Sequence, residues 1–176
     1  MDNQQERFLE SKQLKQYGDL NWLVGLWEGE GTFTLVAGSK RRIMPRLSLI
    51  NSDFDLIDEV SRILTDNMVG HYIQTRKGGC TNNPKHKDVK TVSICGLKRV
   101  AHCVRTFMPY IRGNKRKVAQ LVGEYAEHRL GLPKNASYTD KDYTYVKAVR
   151  VLNRKGPEKS SETTRQAPVY FRGKKI

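Results

Sequence analysis

Leu23-Val24-Gly25-Leu26-Trp27-Glu28-Gly29-Glu30-Gly31 is the stretch whose reading decides this fold. At about 100° per residue, Leu20, Leu23, Val24 and Trp27 fall on one helical face. Trp22 and Leu26 lie on the far side, with Gly25 and Gly29 beside them as a bare stripe. A helix that is apolar on two sides is buried on two sides. Glycines one turn apart let another backbone approach closely, here the same helix of a second subunit. The end of the segment breaks a local rule, because Glu28 and Glu30 stand at a helix C-terminus, where the macrodipole disfavours negative charge. Such conflicts mark functional sites. Two such helices side by side would bring together carboxylates and negative helix ends, which divalent cations would relieve, and carboxylate oxygens are the hard ligands that Mg²⁺ prefers.

Working outward, the spacing predicts a helix over Leu14 to Glu28, ended by glycines, and then two strands, Thr32 to Ala37 and Ile43 to Asn51, joined by a basic turn at Gly38 to Arg42. Residues 53 to 66 return to helical spacing through Phe54, Ile57, Val60 and Leu64. A second strand pair, His71 to Lys77 and Val89 to Cys95, is joined by a long Gly/Asn/Pro/Lys-rich connection. Leu97 to Met108 and Lys115 to Leu130 read as helices. Thr139 with Asp142 resembles a capping box for a last helix through Tyr143, Val146, Val149 and Leu152. The order is αββαββα with an additional C-terminal helix, an α+β chain. Residues 1–154 read as one domain and 155–176 as a basic tail.

If both strand pairs join one antiparallel sheet, helices cover one face and leave the other free. That face should carry Thr32, Thr34, Arg42, Arg46 and Ser48, with Gln74, Arg76 and Lys90 in weaker register. Thr, Ser, Gln and Arg match major-groove base edges, and Lys and Arg at the rim meet phosphates. Charge agrees. The net charge is +14 over 176 residues. From Gly70 to Lys117 the bases are Arg76, Lys77, Lys85, Lys87, Lys90, Lys98, Arg99, Arg105, Arg112, Lys115, Arg116 and Lys117, against the single acid Asp88. Asp53, Asp55, Asp58, Glu59 and Asp66 oppose Arg62 alone in the preceding helix, so the charge is polarised, as suits a polyanion. A ribosome-associated protein is the blander reading of the same charge.

No apolar run is long enough to span a membrane, and the N-terminus fits neither a secretory nor an import signal. Three cysteines without Cys-x-x-Cys or disulfide-like spacing point to a reducing compartment. Cys80, His86, His71 and His102 match no zinc-ligand spacing.

The segment Leu23 to Gly31 closely resembles the LAGLIDADG motif in the form LVGLWEGEG, and with its surroundings the chain is similar to the LAGLIDADG homing endonucleases over about residues 14 to 130. The resemblance implies an antiparallel, saddle-shaped sheet and motif helices forming a dimer interface through Trp22, Gly25, Leu26 and Gly29. It implies divalent metal, Mg²⁺ or another such as Mn²⁺, held by Glu30 with the Gly29 carbonyl, while Glu28 is structural. It assigns Asn51, with Asp53 as competitor, to ordering water, and Lys115, with Lys117 second, to the catalytic pocket. The DNA-contacting set is then Thr32, Thr34, Arg42, Arg46, Ser48, Gln74, Arg76, Lys77, Lys85, Lys87, Lys90 and Lys117. Glu replaces the commoner Asp at position 30. With a single motif, the chain should act as a homodimer on a long, roughly palindromic double-stranded DNA site, inside a prokaryote or an organelle that encodes it. The rivals on this scaffold are a maturase acting on its own intron RNA and a DNA-binding module without catalysis.

Overall fold

The computed structural model describes residues 3–38, 42–78 and 87–154, together with two short paired strands, β5 (Tyr170–Phe171) and β6 (Lys174–Lys175). Lys85 and nearly all of the expected tail lie outside the described residues. The remaining elements are α1 (Asn3–Gly29), β1 (Thr32–Ala37), β2 (Ile43–Asn51), α2 (Phe54–Asp66), β3 (Tyr72–Arg76), β4 (Val89–Cys95), α3 (Leu97–Phe107), α4 (Lys115–Leu130) and α5 (Asp140–Asn153). All four long strands join one antiparallel sheet in the order β1-β2-β4-β3.

Alternation along the strands sends one face into the core. Phe33, Leu35, Ile43, Leu47, Leu49, Val92 and Ile94 are buried, and they meet Ile57, Val60, Ile63 and Leu64 of α2, Val100, Val104 and Phe107 of α3, and Val118, Val122 and Tyr125 of α4 in a single cluster. Close packing fixes details: a Cβ on Gly123 of α4 would come within 2.7 Å of the Val104 side chain. Polar anchors tie helices to strands. The Tyr125 hydroxyl donates to the Ile43 carbonyl at 2.9 Å, and Asn153 Nδ2 donates to the Phe33 carbonyl at 2.8 Å.

Three expectations need correction. α1 begins at Asn3 rather than Leu14, and its 27 residues reach roughly 40 Å. Among its described side chains, from Glu10 onward, the first buried one is Leu20. Tyr143 and Leu152 of α5 are exposed, and Val146 and Val149 alone of that set are core. Phe54 is half-buried, and its ring lies under the Lys90 ammonium. The Thr139–Asp142 capping box is present. Asp142 is fully buried and faces Arg129 at 3.6 Å, and Arg129 also donates to the carbonyls of Ser137 and Ala136.

Candidate functional site

Leu20, Leu23, Val24 and Trp27 seat α1 in the core, with Trp27 edge-on to Phe107 at 5.6 Å between centroids. Gly31 follows where a Cβ would stand 2.2 Å from the Trp27 ring, so only glycine lets the chain turn there into β1. This turn presents Glu30 as an exposed carboxylate immediately before the free edge of the sheet. At the end of β2, Asn51 Nδ2 donates to Glu30 Oε2 at 2.7 Å. Asn51 is itself oriented, because its Oδ1 accepts from the Asp53 amide at 2.9 Å. Asp53 caps α2, accepting from the Leu56 amide at 3.1 Å. The structure therefore brings Asn51, not Asp53, to the carboxylate.

The end of α1 and the start of α4 are clasped reciprocally. Glu28 Oε1 accepts from the amides of Arg112 and Gly113 at 3.2 and 2.5 Å. A Cβ on Gly113 would lie 2.8 Å from that oxygen, so with any other residue there the carboxylate would have to draw back. In return Lys115 Nζ donates to the carbonyls of Trp27 at 3.1 Å, Gly29 at 3.4 Å and Gly31. A cation thus sits on the negative end of one helix and an anion beside the positive end of another. Glu28 is accounted for by this contact. Glu30 stays exposed.

Beyond Glu30 the sheet's free face is built in rows. Thr32 stands opposite Ser48, which stands opposite Ser93 and then Tyr72; Thr34 opposite Arg46 and Cys95; Val36 opposite Met44; and Ile50 opposite Thr91 and Gln74. Arg46 reaches across to Ser93 Oγ at 2.9 Å.

Neither a protein-family profile nor a curated protein matches the chain significantly. Solved structures do. The homing endonuclease I-CvuI, in a complex with an I-CreI target DNA that was not cleaved in 2 mM Mg, superposes with a TM-score of 0.62 at 15% identity, covering 83% of this chain and 88% of that one. The archaeal intron-encoded homing endonuclease I-Vdi141I, complexed with DNA, gives 0.61 at 13%, covering 85% and 91%. The LAGLIDADG meganuclease I-AabMI, bound to uncleaved DNA, gives 0.52 at 12%, covering 74% of this chain and 43% of that one.

The chain has the LAGLIDADG homing endonuclease fold. On this fold, Leu23, Val24 and Trp27 are the core side of the LAGLIDADG helix. Gly25, Gly29 and Trp22 form an exposed stripe, and Leu26 is half-buried. A Cβ on either glycine would meet nothing within 4 Å, so the stripe is open in the single chain. Thr32, Thr34, Arg46, Ser48, Gln74 and Arg76 lie on the free face as expected, with Arg42, Lys77 and Lys87 exposed at the strand ends. Lys117 is exposed on the first turn of α4 and, unlike Lys115, is not seen on the end of α1.

Lys90 is misplaced in the sequence reading. Val92 and Ile94 are core, so Lys90 shares their face and not the free one. Its Nζ pairs with Asp58 of α2 at 2.7 Å. Conversely, Val36, Met44, Ile50 and Tyr72 are exposed on the free face, and the sequence reading passed over them. Their parity with Thr34, Arg46 and Gln74 was the available signal. The Glu28–Gly113 contact had none, since its partners are 85 positions apart.

Proposed function

We propose that this chain is a divalent-metal-dependent endonuclease that works as a homodimer and hydrolyses one phosphodiester on each strand of a long double-stranded DNA site. The observation that carries the proposal is the exposed Glu30 carboxylate, held by Asn51 at the mouth of a basic, polar sheet face and next to the open glycine stripe of α1. Two copies meeting along that stripe would set two Glu30 side chains side by side between two DNA-facing sheets.

The donor set suits a hard cation completed by others. Among the described residues no group of three His, Cys, Asp or Glu side chains could hold a metal. Mg²⁺ takes one or two carboxylates and fills its remaining positions with water and phosphate oxygens. Glu30 from each copy supplies that minimal share, with the Gly29 carbonyl joining it once it exchanges its 3.4 Å contact with Lys115 for the metal. A bound metal would activate water and stabilise the leaving oxygen. The chain's own groups do the rest: Asn51 fixes the rotamer of Glu30 and offers polar atoms beside it, and Lys115 offsets the negative helix end from which Glu30 projects. The basic free face carries the duplex.

Glu30→Gln keeps a hydrogen-bond acceptor for Asn51 and removes the charge. Duplexes recovered from a randomised pool by binding to the wild-type protein would be cloned into a plasmid and incubated with Mg²⁺. Wild type should linearise it, and Glu30→Gln should bind it with nearly the same affinity and leave it intact. Cleavage by the variant at the wild-type rate would overturn the proposal.

A further inference from the structure

We infer that Val36 and Met44 form an apolar reader for the 5-methyl groups of thymine in the major groove, and so set base preference in the outer part of each half-site. This rests on the DNA-cleaving reading above. The two residues are directly opposed across β1 and β2, where facing Cβ atoms stand about 4.5–5.5 Å apart. Their neighbours Leu35 and Ile43 are 3% and 2% exposed, whereas Val36 is 38% and Met44 51% exposed. The pleat thus excludes them from the core and aims both at the free face.

A lone exposed apolar residue is ordinary, but this is a cross-strand pair, set apart from Ile50 and Tyr72 on the same face by the row of Thr34 with Arg46. The next row is Thr34 with Arg46. Beyond the pair, the Gly38 amide donates to the Arg42 carbonyl at 2.8 Å, and Arg42 is exposed. Arg42 and Arg46 thus stand two residues to either side of Met44, cations to meet phosphates beside an apolar spot. The one strongly apolar group a major groove presents is the thymine methyl, which side chains read by apolar contact.

Strand geometry also places the reader. From Thr32, the first residue of β1, to Val36 the strand advances roughly 13 Å at about 3.3 Å per residue. That is about four base-pair steps of about 3.4 Å. A thymine preference should therefore appear about four steps outward from the base pair that the Thr32 row faces, symmetrically in the two half-sites.

The test uses the full-length protein and the duplex recovered from a randomised thymine-containing pool. Each thymine is replaced in turn by deoxyuridine, which removes only the methyl. Wild type should lose about three- to fivefold in affinity at one or two positions near that step, the effect of one buried methyl. Val36→Thr/Met44→Gln keeps side-chain size and net charge, and it should bind thymine and uracil duplexes alike there while other positions respond as in wild type. The single variants serve if the pair does not fold. Recovered sites without thymine in that region, no loss with uracil, or a variant that retains the preference would each overturn the inference and leave the nuclease reading standing. Failure of wild type to bind any duplex would remove both.

Discussion

Lys115→Met is the substitution that most sharply divides support of the site from chemistry in it. In the structure the Lys115 ammonium lies 3.1 Å from the Trp27 carbonyl and 3.4 Å from that of Gly29, and it also meets the carbonyl of the buried Gly31. A net charge-assisted hydrogen bond contributes about 1.5–3 kcal/mol, and a buried carbonyl left unpaired costs about 1–3 kcal/mol. The longer contact adds a helix-end charge interaction of about 0.3–1 kcal/mol. Lys115 is only half-buried, so solvent returns part of this, and a net loss of about 2–4 kcal/mol follows. With a urea slope of about 2 kcal/mol/M, the unfolding midpoint should fall by about 1–2 M. Glu28→Gln loosens the other half of the same clasp. The double variant should then show a coupling energy within about 0.5–3 kcal/mol, as expected for groups joined in one network. Glu30→Gln is the control: it removes a negative charge from the same helix end without touching the clasp, so its midpoint should hold or rise. A Lys115→Met midpoint within about 0.3 M of wild type would refute the clasp and leave the lysine with an electrostatic role alone.

Further outcomes can be stated briefly. Gly25→Leu places a large side chain on the open stripe of α1, so sedimentation or gel filtration should show a mass reduced from dimer to monomer with an unchanged circular dichroism spectrum; an unchanged mass would remove this face as the subunit contact. Gly31→Ala sets a Cβ 2.2 Å from the Trp27 ring and should cost about 1–3 kcal/mol through forced displacement, read as a drop of about 2–12 °C in Tm. Tyr125 is a buried donor to the Ile43 carbonyl, and burial pushes its phenol pKa up. The folded state therefore keeps a proton that the unfolded chain releases above about pH 10, so stability is full below that pH and declines as pH rises beyond it. Tyr125→Phe should cost about 1–2 kcal/mol at neutral pH and flatten this alkaline decline; an equal alkaline slope in both proteins would place its origin elsewhere.

The elements that could be read from sequence are those whose burial imposes a period. β1, β2 and β4 fall where alternation put them, because Phe33, Leu35, Leu47 and Leu49 alternate with polar residues and only one register buries them all. The first half of α1 escaped for the complementary reason: Gln4, Gln5, Glu6, Glu10 and Lys12 are good helix formers by propensity but present no apolar face. On the free face the error was of another kind. Choosing residues by polarity admitted Lys90, which Val92 and Ile94 carry to the helix side and which Asp58 then neutralises. The same choice left out Met44 and Ile50, which share the parity of Arg46 and Ser48. Parity follows from the backbone, so it decides orientation before chemistry does.

The two acids at the end of α1 show how far a local conflict can be trusted as a marker of function. In sequence Glu28 and Glu30 break the same rule, a negative charge at a negative helix end, and nothing nearby tells them apart. In the structure the conflict at Glu28 dissolves, because the amides of Arg112 and Gly113 and the cation on Lys115 bring a second helix end against it. That relief is non-local, and its closeness at Gly113 is eased by the missing side chain there. Glu30 receives one neutral donor, from Asn51, and otherwise faces solvent. The charge that the fold compensates is therefore structural, and the charge that it leaves for something outside the chain to compensate is Glu30. On the proposed function a divalent cation shared with a DNA backbone would supply the missing positive charge, and removing this one carboxylate should then abolish cleavage with little effect on stability.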